Sequence, residues 1–481
     1  MNNNKLQCLD YIKIIFLVAS VILFVCAICK YKGEGITYFF FTIMSYALLF
    51  AGFRKNALFF DTFIGIFFWL GFWLKLSVRV AFMEGKFAIQ VGNFDGSGAS
   101  FNQVLLVASC AFLGLLAASF IREKFLFSYP SKINERTQHG LFVFYTRYRK
   151  YILIGFTLLF ITVAVTNAHF GIYQRGTIPT TILPYGLSGV YKWLLLFGLA
   201  SFSAVILKFE FTGTKKTSYP VAIIGLMECL FSNVSLLSRG MIINTSALVY
   251  GVVVGVKRYE IKSNLRYLIT CFIIFVVLFV SSVLIVNSLR AVKFSGIQAG
   301  QAGQASQLLE QTARSTTVLF LDRWVGIEGV MAVSSYPDKG WGLWRKGWQE
   351  KFSDKKISFF DINIIDSPYK NTDTTKHHFI SLPGVVAFCF YPGSLIFLFA
   401  CMLVIGIFAS LIEIVAFRLG GKNIILCALL AQVIVFRLSS FGYVPGQSYL
   451  LLGTIIVNIL MIYLADKFLI LWFKRKGILN F

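Results

Sequence analysis

Apolar and polar positions alternate along this chain on a long scale: extended hydrophobic runs are separated by short polar connectors. A helix needs about 20 mainly apolar residues to cross the hydrocarbon layer of a bilayer. Twelve runs approach that length, near 11–29, 36–53, 57–78, 101–121, 151–168, 189–207, 219–236, 241–256, 267–289, 384–409, 423–438 and 449–472. The tenth extends to about 417 with a break. The pattern predicts an all-α polytopic membrane protein of about 12 transmembrane helices with one large helical loop on the periplasmic side. Its parts are helices 1–9 over 1–289, the loop over 290–383, and helices 10–12 over 384–481.

The 290–383 stretch is the single long polar interruption. Within it, Leu308, Leu309, Val318, Leu319, Leu321 and Val325 predict helix over 304–335. Trp341, Trp344 and Trp348, spaced at helical intervals around Arg345 and Lys346, predict an interfacial helix. The loop carries 12 Lys/Arg against 9 Asp/Glu, a balance of +3, so it is not an acid-rich metal site.

Composition agrees with lipid as the main solvent. The 481 residues are 57% hydrophobic and 14% charged, with 51 Phe, whereas a soluble domain carries about 25% charged residues. The 45 Lys and Arg against 21 acids do not point to nucleic acid, because they sit at helix ends rather than on one patch. The nine cysteines fall almost entirely in apolar runs, so they form no disulfide framework. Cys26 and Cys29 form a CxxC inside an apolar helix with no second pair, which reads as packing rather than metal binding. The first run lacks a small-residue cleavage site and reads as a retained first span.

Basic residues collect in alternate connectors. One set holds Arg54 and Lys55, the stretch 122–150, Lys208, Lys215 and Lys216, Lys257 to Arg266, Arg418 with Lys422, and Lys474 to Lys476. By the orientation rule that set is cytoplasmic. Both termini are then cytoplasmic, and the 290–383 loop is periplasmic in a bacterial inner membrane.

Some cations oppose that rule. Lys75 and Arg79 are four apart, on one helix face. Arg175, Arg239, Arg290, Arg323 and Arg437 fall at the same outer level by topology. A cation that close to lipid must pair or face water, and planar guanidinium groups suit phosphate oxygens. Pairing with acids or lipid headgroups is the structural alternative. His377 and His378 precede Pro383, where the loop re-enters, and a neutral histidine there is a candidate proton acceptor for a sugar hydroxyl; the alternative is a surface histidine pair. His169 opens the third outer loop. Glu228, in the middle of the seventh run, points either to a helix-to-helix pairing or to an ion-coupled transporter. No internal inverted repeat supports the latter. Gly-rich phosphate loops, HExxH and Ser/His/Asp contexts are absent from the sequence.

At this level the chain resembles the O-antigen polymerases (Wzy) and, more distantly, the O-antigen ligases. The resemblance rests on the span layout with one large late loop and on the turn Ser238-Arg239-Gly240. It rests further on the return His377-His378-Phe379-Ile380-Ser381-Leu382-Pro383-Gly384, followed by Phe390-Tyr391-Pro392-Gly393-Ser394-Leu395, and on the Arg175 to Gly186 spacing. It implies a metal-independent C-type membrane glycosyltransferase without cofactors. Such an enzyme polymerises undecaprenyl-pyrophosphate-linked oligosaccharide repeat units into O-antigen or a related surface polysaccharide. His378 and Arg239 would be catalytic; Lys75, Arg79, Arg175, Arg290, Arg323, Arg437 and His377 would bind substrate. Implied partners are the lipid-linked oligosaccharide, membrane lipids and a chain-length regulator, with no nucleic acid. An O-antigen ligase acting on lipid A–core, and a lipid-linked glycan flippase or ion-coupled transporter, remain alternatives.

Overall fold

A computed structural model describes residues 3–87, 91–133, 140–214, 218–238, 240–261, 265–295, 321–322, 324–351, 357–367 and 380–477. All regular structure among them is helical. The helices are α1 (Asn3–Lys30), α2 (Gly35–Ala51), α3 (Phe59–Phe82), α4 (Gly98–Leu126), α5 (Gly140–Phe170), α6 (Pro184–Gly213), α7 (Tyr219–Ser235), α8 (Met241–Arg258) and α9 (Leu265–Ser295). They continue as α10 (Ile327–Ser334), α11 (Trp341–Trp348), α12 (Phe359–Asn363), α13 (Val385–Cys389), α14 (Leu395–Leu419), α15 (Ile424–Ser439) and α16 (Ser448–Arg475). Among the described residues seven helices are long and apolar enough to cross a membrane, and four more are apolar but shorter. The protein is an all-α polytopic membrane protein. Each of the twelve runs read from the sequence coincides with a helix.

The tenth run differs in detail. It splits into the short α13 and the long α14, separated by Tyr391-Pro392-Gly393-Ser394. Proline disfavours helix in the residue before it, and Gly393 takes a positive φ of 76° that a side chain resists. Ser394 then restarts the helix, its side chain accepting from the Phe397 amide at 3.3 Å.

At the centre lies α15, whose first nine residues, Ile424 to Gln432, are all buried. A helix that is apolar all round needs protein on every side; here α3, α6, α8 and α14 surround it. The edge is different: α9 exposes Phe272, Ile273, Val277 and Val280, as a lipid-facing helix does.

Two ends of the bundle can be told apart by their contacts. At one end the connectors are basic. Arg54 pairs with Glu123 at 3.1 Å, Arg122 pairs with Asp61, and the Ile133 amide donates to Arg258 O. Lys208 donates to Gly421 O, Tyr259 to Lys422 O, and Arg149 pairs with Glu210 at 2.7 Å. At the opposite end gather the 30–35 turn, the Gly98 start of α4, the 171–183 connector, the described residues of 236–240 and 321–384, and the 439–447 loop. We call these the basic end and the loop end.

The 290–383 stretch is not wholly a polar surface loop. All eight residues of α10 are buried, and α10 packs on α4 and α13. Glycine makes this approach possible: a Cβ on Gly329 would lie 1.9 Å from Pro383 O. The α10 and α13 segments therefore sit inside the loop end of the bundle rather than above it. Of the helix expected over 304–335, α10 is helical and buried on all sides, its one acid, Glu328, pairing with Lys75 of α3; residues 296–320 lie outside the described ones. The expected Trp-rich helix is α11. Leu343 and Gly347 are buried while Trp341, Arg345 and Lys346 are exposed, and Trp344 packs on Phe388 and Phe397.

The basic end depends on Glu413 of α14. Its carboxylate accepts the Phe59 and Phe60 amides at 2.9 and 2.8 Å and the Tyr129 hydroxyl, so it satisfies the free amides that open α3. Glu413→Ala orphans three buried donors at once. We expect a loss of about 2–4 kcal/mol, following the cost of leaving buried donors unpaired, read as a lowered unfolding temperature of the detergent-solubilised protein.

Candidate functional site

Helices α7 and α8 are joined at the loop end by a tight turn, residues 236–240. Leu237 adopts a positive φ of 50° there. The Ser238 amide donates back to Asn233 O at 2.9 Å, and the Gly240 amide donates to Ser238 Oγ at 3.1 Å. Asn167, fully buried at the end of α5, ties this turn to the next connector. Its Nδ2 donates to Ser235 O and Oγ at 3.1 and 2.7 Å and to Tyr173 O at 3.0 Å, while its Oδ1 accepts the Tyr173 amide at 2.8 Å.

Cations converge on that turn from three chain segments. The Arg175 amide donates to Leu236 O at 3.0 Å. Its guanidinium lies 5.5 Å over the Phe436 ring, and a side chain at position 240 would come within 3.8 Å of its Nη1. Arg437, the neighbour of Phe436, donates to Tyr443 O at 3.4 Å. Arg290 donates from Nε to Leu237 O at 2.9 Å. One turn further along α9, Lys293 donates to Gln174 Oε1, beside Arg175. Among the described residues no carboxylate pairs with Arg175, Lys293 or Arg437.

Lys75 and Arg79 are arranged differently. Lys75 is fully buried and donates to Glu328 Oε1 at 2.7 Å, to Asp322 O at 3.1 Å and to Trp324 O. Arg79 pairs with Asp322 and donates to Lys86 O at 3.1 Å. Both sites expected to bind substrate are thus filled by carboxylates of the 321–328 segment, which they fasten to α3. The i, i+4 spacing that places them on one face also presents them to the same partner strand. This is the structural alternative for both residues, and we leave them out of the candidate anion site.

The remaining expected residues, Arg239, Arg323, His377 and His378, lie outside the described residues. Their flanks are held. Ser238 and Gly240 are buried beside Arg175. Asp322 and Trp324 are clamped by Arg79 and Lys75, and the Trp324 ring is 5.2 Å from Phe67, itself 6.4 Å from Phe436. The Ser381 amide donates to Asp361 Oδ2 at 2.9 Å, and Asp361 also accepts from Ser358 Oγ. Glu350 bridges two loops by accepting the Phe359 and Val444 amides at 2.6 and 3.0 Å; burial raises its carboxyl pKa. His169 is exposed at the end of α5, against Phe170.

Four members of the cluster escaped sequence reasoning: Asn167, Gln174, Lys293 and Phe436. A signal existed for Lys293, three residues after Arg290 and so on the same helix face. A buried asparagine near the end of an apolar run was a second one. Nothing in the spacing marks Gln174 or Phe436.

Metal chemistry finds no ready ligand set: no group of three His, Cys, Asp or Glu side chains assembles among the described residues. What the loop end offers is a group of cations around the 236–240 turn, one of them resting on an aromatic ring. These features define the chain as a polytopic membrane protein with a cationic site at one end of its bundle. Compared with family models, curated proteins and solved structures, the chain matches none.

The buried pair predicts its own test. Removing one partner of a buried ion pair costs about 3–5 kcal/mol, while replacing both by apolar residues of similar size is near neutral. Lys75→Met should therefore lower the unfolding temperature sharply, and Lys75→Met with Glu328→Leu should recover most of the loss.

Proposed function

We propose that this protein is a metal-independent glycosyltransferase of the bacterial inner membrane. It polymerises oligosaccharide repeat units carried on undecaprenyl pyrophosphate, in the manner of the O-antigen polymerases it resembles. The observation that carries the reading is the convergence of Arg175, Arg290, Lys293 and Arg437 around the 236–240 turn. Arg175 and Arg437 have no carboxylate among the described residues. A diphosphate joined to a lipid is an anion that arrives at this height in the bilayer, and guanidinium groups bind its oxygens in a fixed fork geometry.

In this reading the bond between the donor sugar's anomeric carbon and the diphosphate oxygen breaks. The acceptor hydroxyl oxygen forms the new glycosidic bond, its proton passes to a base, and lipid diphosphate leaves. The cations stabilise charge that grows on the leaving oxygen, so their contribution is larger in the transition state than in the ground state. His378, three residues before the Ser381 anchor, is the proposed base, and Arg239, within the turn, the proposed catalytic cation. The loop end is then the periplasmic face and the basic end the cytoplasmic one, as the orientation rule requires.

The test is direct. Purified protein incubated with its lipid-linked repeat unit should give a ladder of products on a gel. Arg175→Ala, Arg437→Ala and Arg239→Ala should each reduce polymerisation by roughly 10²–10³-fold, the usual effect of deleting one transition-state charge donor, while single repeat units persist. His378→Ala should lower the rate without lowering the amount of folded protein. Wild-type chain lengths in the arginine variants would remove the proposal.

A further inference from the structure

One buried acid has no part in the site above. Glu228 lies in the middle of α7, is only 2% exposed, and pairs with no cation among the described residues. Its Oε1 accepts from Ser232 Oγ at 2.9 Å, and its Oε2 accepts from Cys229 Sγ at 3.4 Å. The Ser203 hydroxyl of α6 lies beside the same carboxyl without completing a hydrogen bond. Thr245 of α8 reaches the neighbouring Cys229, and its hydroxyl is also unpartnered. Ser203 and Thr245 are 2% and 1% exposed. One unpartnered buried hydroxyl beside a buried carboxyl without a counter-ion, and a second beside the adjacent Cys229, is an arrangement that asks for a ligand, because unsatisfied buried polar groups are rare and costly.

We propose that Glu228, with the hydroxyls of Ser203, Ser232 and Thr245, forms a binding site for one monovalent cation, Na⁺, inside the helix bundle. The donor set is all oxygen, which suits a hard cation. It carries a single negative charge, which one monovalent ion neutralises and a divalent ion would leave overcharged in a low-dielectric interior. Three helices contribute, so an ion there would tie α6, α7 and α8 together. Gly225 brings α7 close to α6 at this level, a Cβ on it lying 3.9 Å from Ser203 Oγ. Next to the site is an apolar cleft of about 80 Å³, lined by Leu207, Gly225, Leu226, Thr245, Tyr267 and Phe272 among others. Thr245 belongs to both. The nearest charged group along α6, Lys208, donates to Gly421 O at the basic end, and Glu210 beyond it pairs with Arg149 of α5.

The site also connects to the turn at the loop end. Ser232 is followed on α7 by Asn233, whose Nδ2 donates to Cys229 O at 2.7 Å and whose carbonyl accepts the Ser238 amide. Ion binding at Glu228 would therefore stiffen the helix that carries the 236–240 turn.

Thermal unfolding of the full-length protein in detergent tests this, in NaCl, KCl and choline chloride at equal ionic strength. A ligand that binds only the folded state raises the unfolding temperature with concentration. The expected result is a saturating rise with Na⁺ alone, lost in Glu228→Gln and reduced in Ser203→Ala. Identical unfolding temperatures in the three salts would overturn the proposal and leave Glu228 as a carboxyl holding only a proton. So would a Na⁺ response that survives in Glu228→Gln. Should that variant not fold, Ser203→Ala and Thr245→Val remove hydroxyls without touching the carboxyl, and an undiminished Na⁺ response in both is the overturning result.

Discussion

A charge enclosed by helices and lipid has to be met by another group, since water cannot reach it and desolvation costs several kcal/mol per ion. Much of this structure follows from how each charge is met. Lys75 and Arg79 are met by Glu328 and Asp322, and that pairing draws part of the late loop down against α3. Arg122 is met by Asp61, and Arg149 by Glu210. Glu413 is met by no cation among the described residues; the amides that open α3 and the Tyr129 hydroxyl donate to it. These contacts bind distant parts of the chain, and those of Arg122, Arg149 and Glu413 close the basic end.

Against that background the loop end stands out by contrast. Arg175 rests on an aromatic face and Arg437 on a backbone carbonyl, neither with a carboxylate among the described residues. The turn beneath them is held by side-chain and backbone bonds from Asn167, Asn233 and Ser238. Cations at the two ends are thus met by different partners: carboxylates in the scaffold, an aromatic face and a backbone carbonyl at the turn.

Glu228 is the same situation with the sign reversed. An acid near the middle of α7, surrounded by hydroxyls and thiol rather than by a cation, sits on the helix that leads into the loop-end turn. The two places therefore share one helix, Tyr219–Ser235.

Spacing along the chain was enough to establish an all-helical membrane protein, its twelve helical segments, the gathering of basic connectors at one end and the helix at the tryptophans of α11. These follow from local rules: a hydrophobic run long enough to span, and a helical periodicity. Only the tertiary structure decided which outer cations meet a carboxylate. Lys75 and Arg175 look alike in the sequence, each a base near the outer end of an apolar run, yet the first meets an acid 253 residues away and the second an aromatic ring 261 residues away. It alone decided, too, that α10 is buried inside the bundle and that Gln174 and Phe436 belong with the arginines. Partners that far apart leave no trace in local periodicity, because what joins them is the pairing of charge across helices that pack only after the chain has folded.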